Sequence, residues 1–309
     1  MPPAVWLWIP VTIWAAFAQT VRNAAQRHLT AELGTLGATL VRFLYGLPFA
    51  ALWLFCVKQG TGVAMPGASP VFAGWVILGA VTQIGATALL LRTMQARNFA
   101  LGVAYSKTEV LQVAIFGLVL LGDPLHLTTA IAVGLGTLGV LLLSPVRMER
   151  PLRALVTGWT SRPALLGLAC GALFALSAVG YRGATLALPG TSFLMAAAFT
   201  LLAAQMLQTL LLGGWLLVRD PDVVRRVLRA WRMSLFAGFM GAAASAGWFT
   251  AFALEPAAHV RTLGLVELVF SYAVARRLFR ERLSRLELAG MLLLAAGVAV
   301  ISFSAALRP

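Results

Sequence analysis

Long apolar runs, broken by single polar residues rather than alternating with them, set the pattern of this chain. A helix needs about 20 apolar residues to cross the hydrocarbon core of a bilayer. Four stretches without Asp, Glu, Lys, Arg or His meet that length alone: 1–21, 127–146, 233–254 and 288–307. Two others, 59–91 and 183–218, are too long for one crossing. Pro66, Gly67 and Pro70 trim the first to a helix near 71–92. Pro189 and Gly190 trim the second to a helix near 192–217, leaving its start to the preceding helix. Four more spans carry charge: 35–57 with Arg42, 99–121 with Lys107 and Glu109, 164–182 ending in Tyr181-Arg182, and 259–279 with Arg261 and Glu267. The pattern predicts ten helices. No Lys or Arg precedes the first run, so Ala16-Phe17-Ala18, which mimics a signal-peptidase site, reads as part of an uncleaved first helix.

The chain also matches itself. A shift of 158 positions pairs Glu109 with Glu267, Leu120 with Leu278, Asp123 with Glu281, Leu125 with Leu283, Gly139 with Gly297, Val140 with Val298 and Ser144 with Ser302. Nearer the start of each half, a shift of 160 pairs Ala15 with Ala175, Ala18 with Ala178 and Arg22 with Arg182. Single matches between Leu-rich helices mean little, whereas two acids fourteen residues apart in both halves are harder to obtain by chance. Five helices per unit is an odd number, so the second unit enters the membrane from the opposite face. The expected fold is therefore an all-α integral membrane protein of ten transmembrane helices as two inverted five-helix repeats. Residues 1–145 form the first, 146–162 a basic connecting loop and 163–309 the second. Inverted repeats belong to transporters, because one scaffold then has two related states open to opposite sides.

Composition agrees. Hydrophobic residues make up 60% of the chain and charged residues 11%, with a mean hydropathy of +0.88, whereas an ordinary soluble domain carries about 25% charged residues. So few charges cannot cover a soluble surface of this size, and the apolar excess calls for lipid. The net charge of +14 comes from 24 basic residues, all arginine except Lys58 and Lys107. They sit in short stretches between apolar runs rather than on one soluble face, which argues for membrane orientation and against nucleic acid. Cys56 and Cys170 lie inside apolar runs, with no disulfide or metal-ligand spacing.

The segment Ala253-Leu254-Glu255-Pro256 through Gly264-Leu265-Val266-Glu267, then Arg280-Glu281-Arg282-Leu283, Ala289-Gly290 and Ala296-Gly297-Val298, resembles the EamA-type transporters of the drug/metabolite transporter superfamily. So do Glu109 through Gly122-Asp123, Leu138-Gly139-Val140 and, in the second helix, Arg42-Phe43-Leu44. The resemblance spans both halves. It departs from the pattern at Asp123, where Glu is usual, and at Pro124, where a basic residue is usual. It implies a cavity lined by helices one, six and eight, hence by Trp14, Tyr181 and Trp248, and an exporter of amino acids or similar small metabolites in the bacterial cytoplasmic (inner) membrane.

A charged side chain inside a span costs about 2.5–3.5 kcal/mol even on lenient insertion scales, so such residues face protein or a wet cavity. Glu109, near the middle of its helix, shares a face with Tyr105 and Gln112. Glu267 has Ser271 at i+4. Each acid is either a substrate or proton site or half of a Glu–Arg latch between helices. Lys107 lies about 200° around a regular helix from Glu109, so the two should not meet one ligand, and Lys107 should snorkel or pair with another helix. Arg22 and Arg182 end their helices as interfacial anchors or as anion contacts at each mouth of a cavity. Arg42 has no counterpart, since the shift lands on Leu202, and it could neutralise Glu109 or bind a substrate carboxylate. Trp14, Tyr181 and Trp248 are packing groups or cavity walls. The glycines Gly134, Gly136, Gly139, Gly290 and Gly297 suit tight helix packing.

There is no nucleophile–base pair, phosphate-cradling loop or nucleotide motif, and His28, His126 and His259 lack ligand spacing, so no enzyme, cofactor or metal is expected. The expected function is secondary transport of a small-molecule substrate by alternating access. H⁺ would be the coupling ion, because Glu109 and Glu267 are the deep acids. The rival is a non-transporting membrane scaffold or lipid-handling protein. The partners are the substrate and the bilayer, with the chain a monomer or homodimer. Arg22, Arg27, Arg92, Arg97, Arg147, Arg150, Arg153, Arg162 and the clusters at 219–232 and 276–285 share one side, which by the positive-inside rule puts both termini outside. The resemblance implies termini in the cytoplasm.

Overall fold

The computed structural model describes residues 4–96, 106–107, 109–123, 127–143 and 162–279, with short helical pieces between 289 and 300. Among these residues there are helices and no strand. In chain order they are α1 (Ala4–Leu44), α2 (Leu47–Thr61), α3 (Pro70–Ala96), α4 (Glu109–Leu121), α5 (Leu127–Leu143) and α6 (Arg162–Leu186). Then come α7 (Phe193–Arg219), α8 (Pro221–Arg229), α9 (Trp231–Leu254), α10 (Ala257–Leu263) and α11 (Val266–Phe279).

α1 is a hairpin. A straight helix of its 41 residues would be about 60 Å long, twice the hydrocarbon thickness. Instead Gly34 adopts φ 70, ψ 177, a left-handed φ that glycine tolerates without penalty. The Gln26 amide donates to the Ala38 carbonyl at 2.7 Å, two residues that a continuous helix would hold about 18 Å apart. The arms are thus 4–33 and 35–44. The second arm breaks again before α2: Pro48 in the first turn of α2 has no N–H for the carbonyl of Leu44. A Cβ on Gly46 would stand 2.5 Å from the Arg42 carbonyl oxygen.

These bounds correct the sequence reading in four places. The first helix runs on past Arg22 to residue 33, and α6 runs past Arg182 to Leu186, so neither arginine ends its helix. After Arg22 the chain turns polar, yet the helix continues because its polar face is met by protein; after Arg182, α6 follows the start of the uncharged run 183–218. The expected span 35–57 is two helices, and the expected span 259–279 is broken at Gly264-Leu265 into α10 and α11. The stretch 219–232, read as a charged loop, contains the amphipathic helix α8. Asp220 caps α8 by accepting from Val223 N–H at 3.3 Å, and the helix buries Val223 and Val227. Among the described residues nothing stands within 4 Å of where a Cβ on Gly134 would go, so Gly134 packs tightly against none of them.

Among the described residues, six helical stretches are long and apolar enough to cross a membrane, the first of them containing the α1 hairpin and α2. Large apolar side chains face outward along them, Val71 at 63% and Val218 at 83% exposure, which only lipid explains. The chain is a multi-pass all-α membrane protein. The first arm of α1 packs most extensively against α9, and α3 against α6. Both contacts depend on small residues: a Cβ on Gly247 would stand 2.8 Å from that of Ala15, and one on Gly180 would stand 2.8 Å from the Gly79 nitrogen.

Because the atoms facing Gly180 are backbone (Gly79 N and Cα, Trp75 O) and cannot swing aside, Gly180→Ala is expected to destabilise by about 1–3 kcal/mol. Gly134→Ala, which meets nothing among the described residues, should not. Thermal unfolding in detergent checks this, and equal midpoints for the two variants would refute the tight α3–α6 contact.

Candidate functional site

The first arm of α1 carries Gln19, Arg22, Asn23 and Gln26, all buried. Their spacing of i, i+3, i+4 and i+7 puts them on one face of a helix, so a polar stripe runs through an otherwise apolar segment. Around it the fold gathers charge from four other segments.

Both deep acids stand at helix breaks. Glu109 is the first residue of α4, not its middle, and Lys107 lies in the turn before it. Val110 N–H donates to the Lys107 carbonyl at 3.2 Å, and in the second half Leu268 N–H donates to that of Leu265 at 2.9 Å. Glu267 is thus in the first turn of α11 as Glu109 is in that of α4, and the positive end of each helix dipole favours a carboxylate there. The break also overturns the expected separation of Lys107 from Glu109. With no regular helix between them, Lys107 Nζ lies 3.5 Å from Glu109 and 2.5 Å from Glu267.

Glu267 also accepts from Gln19 at 2.6 Å and Asn23 at 3.1 Å. Glu109 faces Arg261 at 3.6 Å, so its counter-ions are Lys107 and Arg261 rather than Arg42. The Arg261 guanidinium lies 4.5 Å from the Trp248 ring centroid and 5.2 Å from that of Phe252. Trp248 in turn donates its indole N–H to Gln19 at 3.0 Å. Gly264 admits this ring, since a Cβ there would stand 2.6 Å from it. Beside the cluster, Tyr181 donates to Gln83 at 2.9 Å, Gln208 donates to both, and Tyr181 lies 4.2 Å from Phe249 between centroids.

Arg22 and Arg42 are also enclosed, at 1% and 2% exposure. Arg22 donates to its neighbour Asn23 at 2.7 Å, and Arg42 donates to Thr87 of α3 at 3.0 Å. Neither meets a carboxylate among the described residues.

Arg182 is used elsewhere. It forks onto Asp123 at 3.0–3.2 Å and donates to the carbonyls of Phe252 and Glu255, at the C-terminus of α9. Asp123 is positioned by a left-handed glycine cap in which Gly122 (φ 68) ends α4 and donates to the Leu118 carbonyl, while Asp123 N–H reaches the Gly117 carbonyl. His259 bridges Glu255 (3.0 Å) and Thr129 of α5 (2.8 Å). Trp14 is half exposed and lines an apolar cleft of about 470 Å³ with Leu7, Trp53 and Phe239. A second cavity, of about 760 Å³, lies at the Gly34 turn beside Arg92, Arg219 and Arg226. Neither cavity reaches Arg22 or Arg42. Gln112 donates to Leu168 at 3.4 Å, and Tyr105 lies outside the described residues.

Of the residues singled out from sequence, Glu109, Glu267, Arg22, Arg42, Trp248 and Tyr181 thus converge, while Arg182, Trp14 and Gln112 do not. Gln19, Asn23, Gln83 and Gln208 were missed. The spacing of the α1 stripe was the available signal for the first two. The α3–α7 glutamines had none.

Removing one partner of a buried ion pair strands the other, at about 3–5 kcal/mol. Glu267→Gln should therefore lower the thermal midpoint in detergent by several degrees. Adding Lys107→Met should restore part of that loss, and a double-mutant cycle measures the coupling. Additive losses would mean that the pair contributes nothing.

No protein-family model and no curated protein matches the chain. A solved structure described only as "Crystal structure of protein" is similar to it from end to end, with a TM-score of 0.63 at 16% identity over 99% of each chain. That likeness is one of fold.

Proposed function

We propose that the chain is a secondary transporter of a small metabolite, with ten membrane helices in two inverted five-helix repeats that rock about the buried cluster. The observation that carries this reading is the matched pair of broken helices. Glu109 and Glu267 each open a helix after a break, and the bonds Val110 to Lys107 and Leu268 to Leu265 coincide under the same shift of 158 positions. The two most extensive interfaces support it as well. Under a shift near 160 the first arm of α1 corresponds to α6 and α3 to α9, so α1–α9 and α3–α6 exchange with one another. Half-helices whose N-termini face a central site suit solute binding near the bilayer midplane, with alternating access around it.

The resemblance to EamA-type transporters makes amino acids and similar metabolites, exported across a bacterial cytoplasmic membrane, the first candidates. Protons are the natural coupling ion. A proton on Glu267 or Glu109 would weaken its hold on Lys107 or Arg261 and loosen the contact of α4 with α10 and α11.

In proteoliposomes, counterflow of a radiolabelled amino acid mixture should be saturable and should vary with the pH gradient. The Glu109→Gln, Glu267→Gln double variant should lose that pH dependence. Absence of counterflow for every solute in the mixture and for organic anions would favour a scaffold, and undiminished pH dependence in the variant would reject these acids as the coupling site.

A further inference from the structure

We infer that the carried solute is a small dianion, held between Arg22 and Arg42; this rests on the transport reading above and names its substrate class. The cluster contains four cations, Arg22, Arg42, Lys107 and Arg261, and two acids, Glu109 and Glu267. Both acids are engaged by Lys107 and Arg261. Two positive charges are left over, and they are the two guanidiniums without a carboxylate among the described residues. An arginine cannot escape burial by losing its proton, unlike a buried lysine or glutamate. An uncompensated pair of guanidiniums in a protein interior is costly unless an anion joins them.

The donors for such an anion are in place. Nε and Nη1 of Arg22 and Nε of Arg42 are buried and meet no hydrogen-bond partner among the described residues. The two side chains converge, because a Cβ on Gly241 of α9 would stand 3.3 Å from Arg22 Cδ and 3.4 Å from Arg42 Cγ. Two stems flanking one glycine bring two planar forks into reach of one oxyanion group, the geometry in which arginine binds carboxylate and phosphate. Lipid headgroups are excluded as the source by the near-complete enclosure of both residues, while a zwitterion would leave the surplus charge of two unmatched. Dicarboxylates and phosphate monoesters both supply two negative charges on oxygen.

The test uses the full-length protein in detergent and in vesicles. Thermal midpoints are measured by tryptophan fluorescence with millimolar succinate, glycerol 3-phosphate or leucine, against sodium chloride at equal ionic strength. Succinate or glycerol 3-phosphate should raise the midpoint by several degrees, and which of them does so identifies the source. Arg22→Gln and Arg42→Gln should each weaken that binding about tenfold or more. Arg42→Lys should weaken it with the fold retained, since the charge stays and the fork is lost. Arg225→Gln, in the exposed pair on α8, should leave it unchanged. The inference is overturned if chloride matches the dianions, or if leucine shows saturable counterflow untouched by Arg22→Gln and Arg42→Gln while no dianion stabilises the protein; in that second outcome transport itself stands. Dianion binding without flux of any solute would instead overturn transport and leave the anion site.

Discussion

An ion buried in a membrane protein must be met by protein, because hydrocarbon cannot solvate it. In this chain that requirement converges on one ammonium. Lys107 lies 2.5 Å from Glu267 and 3.5 Å from Glu109, and Glu109 carries the chain on to Arg261. These residues belong to the turn before α4, to α4, to α10 and to α11, so four charges knit together segments far apart in sequence. The polar stripe of α1 is recruited by the same need, since Gln19 and Asn23 fill the acceptor sites that Lys107 leaves on Glu267. Even the helix breaks serve it. A break at Lys107 and another at Gly264-Leu265 put each acid in a first turn, where the positive end of the helix dipole favours negative charge.

Matched residues in the two halves do not do matched work. Arg22 and Arg182 coincide under a shift of 160, yet Arg182 spends its donors on Asp123 and two carbonyls, while Arg22 keeps two nitrogens without a partner among the described residues. The difference arises in their surroundings. Asp123 is delivered to Arg182 by the Gly122 turn, whereas Arg22 faces Gly241, Arg42 and amides. Two similar halves can thus form a scaffold of closely related interfaces around a centre whose charges are unequally distributed. That inequality leaves Arg22 and Arg42 without a carboxylate among the described residues.

Much of the fold was legible as local pattern. Apolar runs located the helices, Pro70, Pro189 and Gly190 set their limits, and the acids at 109 and 267 marked positions that could not face lipid. The errors came where a segment's neighbours overrode its own chemistry. Hydropathy stops at Arg22, but the helix continues, because Gln26 is met by the Ala38 carbonyl of the second arm and the polar face is buried. Regular helix geometry separated Lys107 from Glu109, and a break outside any apolarity pattern brought them together.

The sequence by itself determined a helical chain that crosses a membrane several times, since run length and apolarity are properties of each segment alone. It also determined which residues would be costly to bury. Only the tertiary structure decided which cation answers which carboxylate. The Lys107–Glu267 pair closes over 160 residues, and its geometry depends on two helix breaks and on tight helix contacts, none of which a segment encodes without its neighbours.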